Sequence, residues 1–353
     1  MKDQQIQNIF AKRLRQARKM KGMSLEALSE AMKQSVSRQA INKYEQGKMM
    51  PDSRVLLSLA ASLDVKADFF FRPYTVTIDS IEFRKKSRFS KAKAESLSLR
   101  VQEELERYLE VEQTVNAAIQ FDIKRKKITS TKDAQQLAAE VRNFFRLGQD
   151  GISNVVEILE DNGIKVIEVC EEPSFDGLSG YVNGNIPVIV VNSSFSAERK
   201  RFTALHELGH LLMEFAPEVN KKEIESLCNA FANELLLPFD ALKSKIGNKR
   251  HEISLAELKD IQRQFGISID AIMYSLRQHD VIGEQRYRTY NIKKNTTPSL
   301  KEIVEKSRYD EPASGRFVRL VYRALASEVI SISKAAALLK TSVENVNAHI
   351  QLV

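Results

Sequence analysis

Residues Phe202–Met213 read "FTALHELGHLLM" and hold two of the chain's five histidines, four positions apart, with a glutamate after the first. On a helix, positions i and i+4 share one face, so His206 and His210 project their imidazoles the same way. Phe202, Leu205, Leu212 and Met213 give that helix apolar surface to bury, and Gly209 lets another backbone come close. Two neutral nitrogen donors on one face of an anchored helix are what a zinc ion needs from the first two of its ligands. Glu207 then projects beside the metal position rather than onto it. There it can take a proton from the attacking water and pass it to a leaving amine. A single histidine on an apolar face is usually structural; a pair flanking a glutamate points to metal-assisted hydrolysis.

A catalytic zinc needs a third protein ligand and one open position. His251, His279 and His349 lie farther along the chain, so the search moves to the carboxylates of "KKEIESLCNAFANELLLP", residues 221–238. That helix buries Ile224, Leu227, Phe231 and Leu235, while Glu225 leads the other face with Asn229 one turn on. Glu225 completes a two-histidine, one-glutamate set. Glu234 is the second candidate and Glu223 the third; without the upstream histidines all would read as surface charge.

The flanking pattern is α+β. A helix, "KDAQQLAAEVRNFFRL", and a second, "NVVEILEDNG", lead into the strand "IKVIEV". "GLSGYVNGNIPVIVVN" reads as a hairpin, Leu178–Val182 and Val188–Val191 about a turn at Asn183-Gly184-Asn185. Ser196 caps the histidine helix and Pro217 marks its end. Over residues 150–275 these stretches resemble the ImmA/IrrE family of zincin-like metallopeptidase domains, in which H-E-x-x-H is followed by E-x-x-A-N-x-F-A-x-x-L-L-x-P. The resemblance implies His206, His210 and Glu225 as zinc ligands and Glu207 as general base. It also implies cleavage of a transcriptional repressor and fusion to a DNA-binding domain. Cys228 departs from the pattern, standing where the family usually has alanine.

The amino-terminal region supplies such a domain. Ile6, Phe10, Leu14 and Ala17 are at helical spacing, Gly22 stops that helix, and Ser24 caps "SLEALSEAMK". The third helix, "SRQAINKYEQG", is closed by Gly47 and followed by Pro51; a fourth begins at Ser53. With Val36, Ile41 and Tyr44 inward, Ser37, Arg38, Gln39, Asn42 and Lys43 are left on the outer face. These side chains suit base edges and phosphates. Arg13, Arg15, Arg18 and Lys19 are expected on the DNA backbone. From Ser24 to Val65 the stretch resembles the Cro/C1-type (XRE) helix-turn-helix family.

Between these regions, Val76 and Ile78 suggest a short strand, and a basic run follows that includes Arg84, Lys85, Lys86 and Arg88. A long helical stripe then carries Leu97, Val101, Leu105, Tyr108, Val115 and Ile119 toward "KRKK", Lys124–Lys127. One amphipathic helix packed on its neighbours is favoured over a coiled coil, because Glu112 interrupts the seam. The tail has Phe317, Leu320, Val321 and Leu325 at helical spacing, then two helices about Lys340-Thr341 with Ser342 as a cap. It is expected as a small bundle on the peptidase domain.

The chain has 353 residues, net charge +8, 43% hydrophobic residues and two cysteines. That length suits several domains, and the charge suits a nucleic-acid partner. No apolar run approaches a membrane span, "MKDQQIQNIF" lacks signal-peptide character, and two cysteines build no disulfide framework. The expectation is a multidomain cytoplasmic protein. Residues 1–72 form an all-α helix-turn-helix domain, 73–131 a linker strand and long amphipathic helix, 132–290 a zinc metallopeptidase domain, and 291–353 a helical carboxy-terminal bundle. It is expected to act as a homodimer on operator DNA and to cleave a repressor or partner protein. The alternative is a non-proteolytic repressor, or an antitoxin with a toxin partner, that uses the zinc fold as a sensor or binding module.

Overall fold

Helix α1 (Lys2–Met20) buries Phe10, Leu14 and Ala17 completely, whereas Ile6, at the same spacing, stays 46% exposed. α2 (Leu25–Ala31) and α3 (Arg38–Glu45) begin at Ser24 and Ser37, whose hydroxyls accept from Ala27 N and Ala40 N at 3.0 and 3.2 Å. α4 (Ser53–Leu63) is capped in the same way by Asp52. Each such cap contributes about 1 kcal/mol. Leu28, Val36, Ile41, Tyr44, Leu59 and Leu63 close one core with Phe69 and Phe70 from a short 3-10 helix (Ala67–Phe71).

Two arginines expected on DNA lie inside this fold instead. The Arg13 side chain is fully buried and donates to the carbonyls of Arg72 and Pro73 at 2.8 and 2.6 Å. It also pairs with Glu106 at 2.8 Å and lies under the Tyr74 ring. Arg18 donates to both carboxylate oxygens of Glu45, at 2.6 and 2.7 Å, and to the Met23 carbonyl. A guanidinium turned inward, with most of its five donors taken by carbonyls and carboxylates, is not placed to meet a phosphate. Helical spacing alone does not tell such an arginine from an outward one. Lys19 pairs with Glu95, and Arg15 is exposed.

The long helix α5 (Lys91–Thr114) packs on α1 and buries Leu97, Val101, Leu105 and Val111 within its own chain. Glu103, Glu106, Arg107 and Glu112 are buried on it too. Burial pushes the Glu106 carboxyl above the ordinary range against the pull of Arg13. At Glu103 burial acts in the same direction, but Arg107, Lys340 and Arg72 together outweigh it and hold the carboxyl low. The helix stops before Ile119 and the "KRKK" run, and Asn116 takes φ +51° just past its end. Lys126–Lys127 form the short strand β1. The strand expected after Tyr74 is described only as far as Ile78, and Arg84, Lys85, Lys86 and Arg88 lie outside the described residues, which are 2–78, 90–310 and 314–350.

In this computed structural model the α+β region follows. α6 (Thr131–Phe144) starts at a reciprocal cap between Ser130 and Asp133. After α7 (Val155–Asp161) come β2 (Lys165–Val169), β3 (Gly177–Val182) and β4 (Ile186–Asn192). The sheet order is β2-β4-β3: β2 runs parallel to β4, and β3 pairs antiparallel with it, Ser179 opposite Ile189. α8 (Ala197–Leu212) lies on β3 and β4 and ends in β5 (Met213–Glu214), which pairs in parallel with β1. α9 (Lys221–Leu236) packs on α8 and α6. α10 (Phe239–Ile246), α11 (Leu255–Phe265), α12 (Ile269–Gln278), α13 (Glu284–Thr296) and α14 (Pro298–Glu305) complete the region. Arg201 clamps α8: its fully buried guanidinium donates to the carbonyls of Ile152, Phe265 and Gly266.

The tail, α15 (Arg316–Ala326), α16 (Ile332–Leu338) and α17 (Val343–Ile350), does not belong with this region as expected. Leu320, Val321, Ala324, Ala335, Leu338 and Val346 share a core with Tyr108 and Val111 of α5. Lys340 pairs with Glu103 at 2.8 Å, and Arg107 donates to the Leu338 carbonyl. The chain thus has two units, Met1–Ala118 with Phe317–Val353, and Ile119–Arg316. Among the described residues no helix is long and apolar enough to cross a membrane.

Candidate metal centre and nucleic-acid interface

On α8 the rings of His206 and His210 meet edge to face, centroids 4.9 Å apart, with their Nε2 atoms separated by 3.1 Å. From α9, Glu225 Oε2 comes within 3.1 Å of His206 Nε2, and Oε1 within 3.8 Å of His210 Nε2. A Cβ added at Gly209 would stand 3.3–3.4 Å from Phe231 and Cys228, so the missing side chain lets α9 approach this closely. All three ligand candidates keep some exposure, from 12% at His206 to 32% at Glu225.

The rear of each ring also faces α9. His206 Nδ1 is 2.8 Å from Asn229 Oδ1, and His210 Nδ1 is 3.6 Å from Cys228 Sγ. An amide oxygen only accepts, so His206 carries its proton on Nδ1 and presents the Nε2 lone pair to the site. Donors on a tetrahedral ion with bonds of about 2.0–2.1 Å lie roughly 3.3 Å apart. The 3.1 Å separations of His206 Nε2 from His210 Nε2 and from Glu225 Oε2 meet that requirement, Glu225 Oε1 stands about half an ångström beyond it from His210 Nε2, and the nitrogen–carboxylate donor set suits zinc.

Glu207 is buried beside them, and one of its carboxylate oxygens lies within 4.8 Å of a ring nitrogen from each histidine. Ser179 Oγ, on β3, donates to Glu207 Oε2 at 2.8 Å. β3 sits hard against α8, because a Cβ at Gly177 would fall 2.6 Å from Thr203 Cγ2. Glu234 is taken up elsewhere: its Oε1 accepts from Phe239 N at 3.0 Å, and Oε2 is 3.7 Å from His279 Nε2. Glu223 stands exposed in the first turn of α9. Sequence reading did not find Ser179, and no local pattern ties a strand serine to a glutamate on a later helix. Asn229 carried a weak signal, one turn beyond Glu225 on the same face.

In the other unit, Ser37, Arg38, Gln39, Asn42 and Lys43 are all exposed, with Val36, Ile41 and Tyr44 buried behind them. Ser37 Oγ also caps α3, and Asn42 Oδ1 accepts from Gln46 at 3.4 Å. Arg38 is 3.9 Å from Glu26, both exposed, a weak tie that solvent screens.

The class defined here is a helix-turn-helix unit joined to an α+β domain with a zincin-like H-E-x-x-H helix. Comparison with known proteins agrees. Residues 14–70 match the helix-turn-helix family, and residues 160–277 match the IrrE N-terminal-like domain, a peptidase family. The chain therefore joins an XRE-type helix-turn-helix domain to an IrrE/ImmA-like peptidase-family domain. It is similar to the radiation response metalloprotease IrrE of Deinococcus deserti, 32% identical over 106 residues, 26% of this chain and 36% of that protein. The chain thus spans about a third of the length of the relative it matches.

Proposed function

We propose that this chain is a cytoplasmic transcriptional regulator that binds double-stranded operator DNA through α3 and cleaves a protein substrate at the α8–α9 site. The observation that carries the peptidase half is the meeting of Glu225 with both histidine Nε2 atoms from a separate helix, at 3.1 and 3.8 Å. His206, His210 and Glu225 would hold zinc. When bound, the ion polarises a carbonyl and acidifies water. Glu207 takes the proton of the attacking water and returns it to the leaving amine. Ser179 fixes the plane of that carboxylate by pinning Oε2. Among the described residues β3 pairs only with β4, so its outer edge can receive an extended peptide as an added strand. The substrate class is a repressor or other partner protein.

The test is metal analysis of the full chain together with a cleavage assay on the products of neighbouring genes. The wild-type protein is expected to hold about one zinc per chain, and His210→Ala to lose stoichiometric metal. Full zinc occupancy in that variant would remove the ligand set.

The DNA half rests on the exposed face of α3 and on the net charge of +8. A homodimer on an inverted repeat, half-sites about one helical turn apart, is the arrangement proposed. Gln39→Ala is expected to relax base preference at one position, at a cost of about 1–3 kcal/mol, whereas Lys43→Ala weakens all sequences alike and lowers the salt dependence. Quantitative binding to a panel of single-base operator variants at two salt concentrations separates them. Identical profiles would mean that α3 does not read bases.

A further inference from the structure

We infer that Cys228 is a positioning residue for His210: its sulfur accepts a hydrogen bond from His210 Nδ1 and so aims Nε2 at the metal position. The inference rests on the metal reading proposed above. Cys228 Sγ lies 3.6 Å from His210 Nδ1, and the residue is fully buried. An imidazole that gives the Nε2 lone pair to a metal keeps its proton on Nδ1, and that proton needs an acceptor. At His206 the acceptor is the amide of Asn229, 2.8 Å away. At His210 it is the thiol of the preceding residue. α9 therefore treats the two rings in parallel: Glu225 meets the front of the pair, and Cys228 and Asn229, one turn on, meet the backs. Gly209 leaves room for the sulfur, since a Cβ there would stand only 3.4 Å from Sγ. An alanine at the position would have no atom that can accept here. The aim of His210 is thus a property of this chain's own side chain.

Cobalt(II) is the probe, bound to the full-length protein, with affinity read by chelator competition and geometry by the visible spectrum. The wild type is expected to bind one ion without a thiolate-to-cobalt charge-transfer band. Cys228→Ala is expected to lose about tenfold in affinity, the low end for an outer partner of a metal-bound histidine, since sulfur is a weak acceptor. Cys228→Ser, with a shorter but accepting group, is expected to fall between them. Thermal melts of the metal-free proteins separate packing from positioning. A loss of affinity that follows acceptor ability rather than melting temperature supports the role, and if the alanine variant fails to fold, the serine variant carries the comparison. Affinity within twofold of wild type in Cys228→Ala would overturn it; should only the serine variant fold, a loss of tenfold or more despite its accepting hydroxyl would overturn it. A charge-transfer band in the wild type would also overturn it, by making the thiol a ligand. A wild type that binds no cobalt would remove the metal reading itself, and this inference with it.

Discussion

Glu207→Gln is expected to keep its zinc and its operator binding while peptide hydrolysis falls by about 10² or more, the range of a positioned general base. The amide matches the carboxylate in shape, and one of its two polar ends still offers an oxygen to the Ser179 hydroxyl that pins Oε2 in the wild type at 2.8 Å. The ligand candidates are other residues, so metal content stays. What is lost is the capacity to take a proton, because a neutral amide cannot accept it from the attacking water. Steady-state cleavage, zinc content and operator affinity, measured on one preparation, check the three parts separately. In cells the same variant discriminates between modes of action. A regulator that works by proteolysis loses its output while still occupying its operator. A repressor or antitoxin that uses the fold only to sense or bind keeps it. Wild-type regulation of target genes by the Glu207→Gln strain would leave the peptidase mechanism without support.

The second large effect is on folding. Arg13→Ala is expected to destabilise the unit holding the helix-turn-helix by about 3–5 kcal/mol, the cost of stranding one partner of a buried ion pair. The Arg13 side chain is fully buried and its Glu106 partner only 6% exposed, so neither charge can turn to water when the other is removed. The Arg72 and Pro73 carbonyls lose their donors as well. Urea unfolding of the full chain should show an early transition in this unit, and DNA binding should fall for every sequence alike. Arg13→Met, which fills much of the same space but also leaves Glu106 unpaired, should do little better. A phosphate contact would behave differently: unchanged unfolding and a shallower salt dependence of binding. That outcome would restore the reading in which Arg13 faces DNA.

Local pattern carried far in this protein where one element contains all the information. The i, i+4 histidines and the apolar flank of α8 follow from helical geometry. So do the outward face of α3, with Ile41 and Tyr44 turned in, and the hairpin of β3 and β4, which follows from two apolar runs about a Gly-containing turn. The choice of Glu225 over Glu234 and Glu223 was open on the residues alone. All three are glutamates on one helix, and only the way α9 crosses α8 determines which of them faces the imidazoles.

Other features depend on where distant segments meet. Nothing near Arg13 signals that Glu106 and the chain at Arg72–Pro73 will close over it, because an arginine at a helical position looks the same whether its head reaches solvent or an internal carboxylate. The tail was legible as helices from its periodicity, but periodicity names a face and not its partner; Tyr108 and Val111, some two hundred residues earlier, provide one. Ser179 on Glu207 and Cys228 on His210 are likewise encounters between elements. Spacing and residue type were enough for the main helices, for the β3–β4 hairpin and for the side chains able to do metal and base-reading chemistry, but not for the end of α5 at Thr114 or the short β1–β5 pair, since a two-residue strand exists only where its partner lies. Packing between segments far apart in the chain brings Glu225, the carboxylate the resemblance had implied, against the imidazoles, and no local pattern could show that it turns Arg13 and Arg18 inward or gives the last helices their partner in α5, because each needs the position of a distant segment.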